Sequence, residues 1–284
     1  MSNINKDLTI FMVSYYADNS SIENIIRKIN SKIKIIIVEN SNVLRTKKYF
    51  EKIYKNVIVI LSKINNGQTG GYNIGLKNIT TKYGLYLDID TDFDPTIIET
   101  FYKYANKIDD FIILAPEHNR SDYPKDFFHK FNKPNSNLKR MNIVHGHFLF
   151  FNMKSIYKVG LFDEKIFMYY EETDYCLRAN KLNEKIYILK EIKVLHKEGK
   201  SYNKILLKNI QPLRHWHIMW SKFYFYKKHY GFIYALIKII PDILESITKM
   251  SLLIFFNRKK FNIHKSRLSG LLNSILGKGS WKRL

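Results

Sequence analysis

The feature that most limits what this chain can fold into is a series of short, almost unbroken apolar runs, separated by helix-like segments. Leu8–Tyr15, Ile33–Val38 and Val57–Leu61 are of this kind, and Gly84–Leu87 and Phe111–Ala115 follow the pattern. A strand that is apolar at every position has no solvent face, so it suits a parallel sheet covered on both sides. Between the first two runs, Ile22, Ile25, Ile26 and Ile29 recur at the spacing of one helix face. Ser20 and Glu23 predict a capping box there. After the fourth run, Asp94 is placed to cap a helix with Pro95 at its first position, and Ile98, Phe101, Tyr102 and Ala105 form its buried stripe. Repeated strand–helix–strand units predict right-handed crossovers and an α/β fold with a mostly parallel, doubly wound sheet. Ligands of such sheets lie at the C-terminal ends of the strands.

The predicted organisation is a nucleotide-binding and catalytic domain over 1–205 and an aromatic, basic helical region over 206–284. Residues 116–142 are polar and proline-broken, and read as a long loop of the kind that forms lids or acceptor-binding segments. The 47 Lys and Arg exceed the 25 Asp and Glu, a net +22 that points to anionic partners. Hydrophobic residues are 45% of the chain, which excludes a disordered polyelectrolyte. A single cysteine, Cys176, excludes an intramolecular disulfide and fits a reducing compartment. No apolar run before the first strand is long enough for a signal peptide, so a cytoplasmic location is expected, or a peripheral one on the cytosolic face of a membrane. Phe232–Phe256 is apolar but contains Lys238, Asp242, Glu245 and Lys249 and is interrupted by Pro241, which argues against a membrane-spanning helix. Arg258-Lys259-Lys260 and Lys282-Arg283 flank it, predicting helices that lie on an anionic membrane surface. The competing readings are a helical subdomain packed on the sheet and a dimer interface.

Four constellations carry chemistry. Asp88-Ile89-Asp90 follows the fourth strand directly, and two carboxylates at a strand end suit Mg²⁺ or Mn²⁺ bridging a diphosphate. An isolated Asp-x-Asp is more commonly a solvated turn or helix cap, and it is the place after the fourth strand of a parallel sheet that favours the metal. Asn65 to Gly75 (NNGQTGGYNIG) joins the third strand to the next helix; its glycines allow a ligand, or simply the sheet, to approach the backbone closely. It is neither a Walker loop nor a dinucleotide fingerprint. Gly160-Leu161-Phe162-Asp163-Glu164 precedes an acidic helix start, Glu171-Glu172-Thr173-Asp174. Asp174 stands one turn before Arg178 and Glu171 shares that face, so both suit structural pairing, and Glu172 is the carboxylate left to face a pocket. Lastly, His196 ends the strand-like Ile192–Leu195, alone among nine histidines in following the acidic cluster at a strand end. It suits a third ligand for a metal held by Asp90.

In this order, the four pieces resemble glycosyltransferase family 2, the inverting GT-A enzymes, and most of all its rhamnosyl- and galactofuranosyltransferase-like branch. The matching positions are Ser14-Tyr15, Glu39-Asn40-Ser41-Asn42, Asn65 to Gly75, Asp88 to Asp90, Gly160 to Glu164, Glu171 to Asp174, and His196, spanning roughly Leu8 to Ser201. The resemblance implies a nucleotide-sugar site built from Ser14, Tyr15, Glu39, Asn66, Gly67, Gly71, Asn73 and Asp88. It implies a divalent metal, Mn²⁺ or Mg²⁺, held by Asp88, Asp90 and His196, and a catalytic base at Glu172. His145, His147, Glu171 and Asp174 are candidates for contact with acceptor or sugar; the two histidines can equally fill space. Two departures stand out: Glu39 replaces the usual Asp before Asn40, and Glu172 replaces the usual catalytic Asp. The implied activity is transfer of a sugar to a hydroxyl of a glycan or lipid-linked glycan.

Two rivals belong to other classes. A nucleic-acid-binding protein would explain the charge and the aromatics, but no recognised module is present and no specific nucleic-acid partner is expected. A metal-dependent nucleotidyltransferase would also pair acids with a nucleotide, and would release pyrophosphate rather than nucleoside diphosphate.

Overall fold

The structure, a computed structural model, describes residues 3–108, 110–118, 137–196 and 207–283. Most of the predicted 116–142 loop therefore lies outside the described residues. The chain divides into two compact units: Met1–Phe162 with Tyr175–Tyr202, and Asp163–Asp174 with Asn203–Leu284.

The first unit carries β1 (Leu8–Ser14), β2 (Lys34–Glu39), β3 (Val57–Leu61), β4 (Tyr83–Leu87), β5 (Thr91–Asp92), β6 (Ile113–His118), β7 (Leu138–Met141), β8 (Phe148–Asn152) and β9 (Ile186–His196). Its helices are α1 (Ile4–Asp7), α2 (Asn19–Ile26), α3 (Leu44–Ile53), α4 (Gly67–Lys77), α5 (Thr96–Lys107) and α6 (Met153–Val159), with most of α7 (Glu171–Lys181). The strand order is β3-β2-β1-β4-β8-β6-β9-β5, and β7 also pairs with β9. The four strands from β3 to β4 are parallel, as their apolar runs predict. Beyond them the sheet is mixed: β8 is antiparallel to both β4 and β6, and β5 and β7 run antiparallel to β9.

The reason these strands have no polar face is visible in β1. Ile10 and Met12 face one core together with Ile22, Ile25 and Phe101, while Phe11 and Val13 face a second with Tyr72, Leu76 and Tyr86. Each fully buried side chain of this size contributes about 1.5–3 kcal/mol relative to exposure. The stripe predicted for α5 is buried as expected, and Asp94 accepts hydrogen bonds from the Thr96 backbone N–H (2.8 Å) and hydroxyl (2.6 Å). The helix opens one residue later than predicted, at Thr96, with Pro95 as its N-cap. The capping box predicted at Ser20 and Glu23 does not form. Helix α2 begins after Asp18, and Glu23 instead accepts from the hydroxyls of Tyr49 and Tyr54, at 3.0 and 3.2 Å.

The second unit is built on α8 (Leu207–Tyr230), α9 (Phe232–Leu253) and α10 (Arg258–Ile275). Met219, Phe223, Ala235, Ile239 and Leu271 form its small core. Helix α9 runs through Pro241 without interruption. Helices α8 and α10 approach so closely that a Cβ on Gly270 would sit 2.3 Å from the carbonyl oxygen of Trp216.

Candidate active site

The parallel strands end level with one another, which brings separate sequence motifs to one edge of the sheet. Ser14 and Glu39 are register partners at the ends of β1 and β2, and the Ser14 hydroxyl donates to Glu39 Oε2 at 2.7 Å. Glu39 Oε1 accepts from the Ser41 backbone N–H at 2.9 Å and from the Ser41 hydroxyl. Glu39 is thus a buried acceptor that sets the turn after β2. Tyr15 packs edge-on against Tyr16, and the Tyr16 N–H donates to Ser41 Oγ at 3.0 Å.

Asn40 ties this turn to the glycine-rich segment. Its amide nitrogen donates to the Gly67 carbonyl (2.8 Å) and Asn65 Oδ1 (3.2 Å), and its Oδ1 accepts from the Asn66 N–H (3.1 Å). The Asn66 side chain donates to Ser62 Oγ at 2.6 Å. Gly67 opens α4 with φ of 72°, a left-handed conformation that a side chain would strain. Gly71 and Gly75 answer to packing: a Cβ there would meet Val13 Cγ1 at 2.6 Å and Phe11 Cδ2 at 2.2 Å. Asn73 acts as a clamp. Its side chain donates to the Phe162 carbonyl (2.9 Å) and accepts from the Phe162 N–H (3.0 Å), fixing the backbone at that residue.

Asp88 and Asp90 occupy the turn between β4 and β5, both partly exposed. The Asp88 N–H donates to the His147 carbonyl at 2.9 Å, and the Thr91 hydroxyl donates to the same carbonyl at 3.2 Å. His147 is itself buried, with its ring 6.5 Å from that of His145, and through its carbonyl it braces the acidic turn. Thr91, next to Asp90, is the register partner of His196, whose side chain lies outside the described residues. Among the described residues, no three His, Cys, Asp or Glu side chains are grouped to hold a metal by themselves. Two carboxylates on one turn are a fitting partial donor set for Mg²⁺ or Mn²⁺, which keep waters and take phosphate oxygens as further ligands.

Glu171, Glu172 and the final acid Asp174 belong to the second unit. The backbone leading into them is unusual. Tyr169 and Tyr170 have φ of 63° and 69°. Non-glycine residues in that region cost on the order of 1–3 kcal/mol each. Contacts from α8 hold the segment: Arg214 bonds the Tyr169 hydroxyl, Ser221 Oγ donates to the Met168 carbonyl (3.0 Å), and Phe225 packs on Tyr170. Glu171 and Asp174 are buried, whereas Glu172 is partly exposed.

Asp174 is a paired acid, but the partners come from α8. Lys228 Nζ lies 2.6 Å from its Oδ1 and His229 Nε2 lies 2.7 Å from the same atom. Arg178, the expected partner, donates to the carbonyls of Val159 (3.0 Å) and Leu161 (2.8 Å). Lys228 also reaches Asp163 at 2.8 Å, where the Tyr224 hydroxyl donates at 2.8 Å. Burial pushes the Asp163 carboxyl up, but Lys228, Tyr224 and the Lys165 N–H together hold it below its ordinary value. Lys228 and His229 carry no sequence signal of this role; they look like ordinary basic residues near a helix end.

Residues 9–164 match the sequence profile of the family described as glycosyl transferase family 2. The low-salt glycan biosynthesis hexosyltransferase Agl10 of Haloferax volcanii is 23% identical over 210 residues, covering 68% of this chain and 67% of that protein. The dTDP-rhamnosyl transferase RfbF of Shigella flexneri is 27% identical over 122 residues, 42% of this chain and 40% of that protein. Among solved structures, the mannosyltransferase PcManGT of Pyrobaculum calidifontis, in complex with GDP-Man and Mn²⁺, aligns with a TM-score of 0.58 at 10% identity, over 95% of this chain and 87% of that one. TarS 1–349 of S. aureus in complex with UDP-GlcNAc aligns with a TM-score of 0.53 at 14% identity, over 96% and 92% of the two chains. At such identities the likeness concerns the fold, which is that of GT-A glycosyltransferases.

Proposed function

Because the chain belongs to glycosyl transferase family 2, we propose that it is an inverting enzyme using a nucleoside-diphosphate sugar and a hydroxyl acceptor. The donor sugar is a hexose or deoxyhexose such as rhamnose or galactofuranose, and the acceptor is a glycan or lipid-linked glycan of surface polysaccharide synthesis. The names of the relatives, a glycan-biosynthesis hexosyltransferase and a dTDP-rhamnosyl transferase, support that class. So do the GDP-Man and UDP-GlcNAc complexes of proteins with the same fold.

The observation that carries the reading is the alignment of Ser14, Glu39 and the Asp88–Asp90 turn at the C-terminal ends of β1, β2 and β4. In the order β2-β1-β4 the chain reverses direction of winding at β1, the position where open sheets bind nucleotides. The nucleoside lies beside the strand ends that Ser14 and Glu39, buried and bonded to one another, hold in place, and the N-terminal end of α4, entered through Asn66 and Gly67, favours the negative diphosphate. A divalent ion held by Asp88, Asp90 and His196 would neutralise charge on the departing diphosphate. The backbone pairing of His196 with Thr91 supports its share in that site. Glu172 accepts the proton of the acceptor hydroxyl as that oxygen attacks the anomeric carbon. One base and one displacement give inversion, with no carboxylate nucleophile required.

The test is a donor screen that follows the released nucleotide. Nucleoside diphosphate, formed only with a divalent metal and lost in Asp90→Ala, is the expected product. Pyrophosphate release would make the enzyme a nucleotidyltransferase, and full activity in excess chelator would remove Asp88, Asp90 and His196 from their metal role.

A further inference from the structure

Helix α9 leaves one long face uncovered. Ile233, Ile237, Ile240, Leu244 and Ile247 are all exposed. At roughly 100° per residue they fall within a stripe about 80° wide. Ala235, Ile239 and Ser246, the buried residues of the same helix, lie on its far side. The stripe leads to Ile254, Phe255 and Phe256 in the turn before α10, and the two phenylalanines are 86% and 87% exposed. Exposed Arg258, Lys259 and Lys260 follow at once.

We propose that this face, ending in Phe255 and Phe256, is the surface by which the protein seats itself on an anionic lipid membrane. The charge around it decides the occupant. From Leu207 to Arg283 there are fifteen Lys and Arg but only two acids, Asp242 and Glu245. Both acids are already engaged: Asp242 by Lys222 (2.5 Å) and Arg267 (3.1 Å), and Glu245 by Arg267 (2.9 Å) and Lys249 (2.6 Å). A second copy of the chain would bring one basic surface against another, which like-charge repulsion opposes. A nucleic acid would satisfy the cations but leave the aliphatic stripe in water. An anionic lipid surface takes both, with apolar side chains at the acyl boundary and cations among the headgroups. Among the described residues no helix is long and apolar enough to cross a membrane, so this contact is peripheral.

Flotation of the full chain with phosphatidylcholine vesicles, with and without about 30% phosphatidylglycerol, tests the proposal without reference to sugar transfer. Binding is expected on the anionic vesicles, weakened by high salt. The double substitution Phe255→Ser, Phe256→Ser changes two exposed side chains, so the fold persists (checked by circular dichroism), and it should lower the bound fraction on the order of tenfold. No flotation on anionic vesicles at low salt overturns the proposal, as does a double variant that floats like the wild type. A concentration-dependent dimer in sedimentation, abolished by the same substitutions, would assign the face to self-association instead.

Discussion

Asp174 and His229, 55 residues apart in the chain, are joined at 2.7 Å, with Lys228 on the same carboxylate oxygen at 2.6 Å. The acid is 1% exposed, and a buried carboxylate is tolerable only while such partners remain. Asp174→Asn leaves the shape and removes the charge. Breaking a buried pair from one side costs on the order of 3 kcal/mol, so the urea midpoint should fall clearly. A midpoint equal to that of the wild type would show that the network contributes nothing to the fold.

Glu172 is expected to behave in the opposite way. It is partly exposed, whereas Glu171 and Asp174 are buried. Glu172→Gln should keep stability and nucleotide affinity, the latter read by calorimetry, while turnover drops by about 10²–10⁴. Near wild-type transfer by Glu172→Gln, with Glu171→Gln inactive, would move the base one residue back.

Gly270 is where α10 touches the α8 backbone. A methyl group there meets the Trp216 carbonyl oxygen at 2.3 Å, and a backbone atom has no rotamer by which to withdraw. Gly270→Ala should destabilise the protein by about 1–3 kcal/mol. A Cβ on Gly279 would meet nothing within 4 Å, so Gly279→Ala serves as the control, expected to melt as the wild type does.

Much of this was legible in the sequence, for physical reasons that differ from place to place. The runs at Leu8, Ile33 and Val57 declared a two-sided sheet because burial on both faces leaves no room for a polar alternation. The α5 stripe followed from its spacing. The antiparallel insertion of β8 between β4 and β6 was not legible, since Phe148–Asn152 looks the same in either direction. Ser20 and Glu23 matched a local pattern, but two tyrosines from elsewhere in the fold supplied stronger partners for Glu23. The partners of Asp174 were hidden for the same reason: a helix-surface rule names Arg178, and only tertiary packing delivers Lys228 and His229. The order of the motifs placed Ser14, Glu39 and the Asp88–Asp90 turn at strand ends, where the structure has them, yet it gave no hint that Asn73 and Asn40 hold the backbone in place.

His217 makes stability depend on pH. Its Nε2 donates to the Lys282 carbonyl and its Nδ1 accepts from Ser280, each at 2.9 Å, and burial, with nearby Arg283 and Lys282, pushes its pKa down to about 4. The unfolded chain keeps an ordinary histidine with a pKa of about 6.5. It therefore binds a proton first as pH falls, and the folded state loses ground between those values. By pH 5 the loss should be about 2 kcal/mol relative to pH 7. His215 and His264 are also lowered by burial, so the contribution of His217 is the difference between wild type and His217→Gln. Equal pH slopes for the two proteins would contradict it.

The segment from Asp163 to Asp174 is grouped with helices that begin only at Leu207, while the chain on either side of it belongs to the sheet. Anyone grafting the second unit onto another chain must therefore cut three times. A hybrid joined only after residue 202 would inherit one parent's acids and the other parent's α8, leaving Asp174 to find a cation that its new host was never selected to provide. Recombination in such a lineage should favour breakpoints that carry both pieces together.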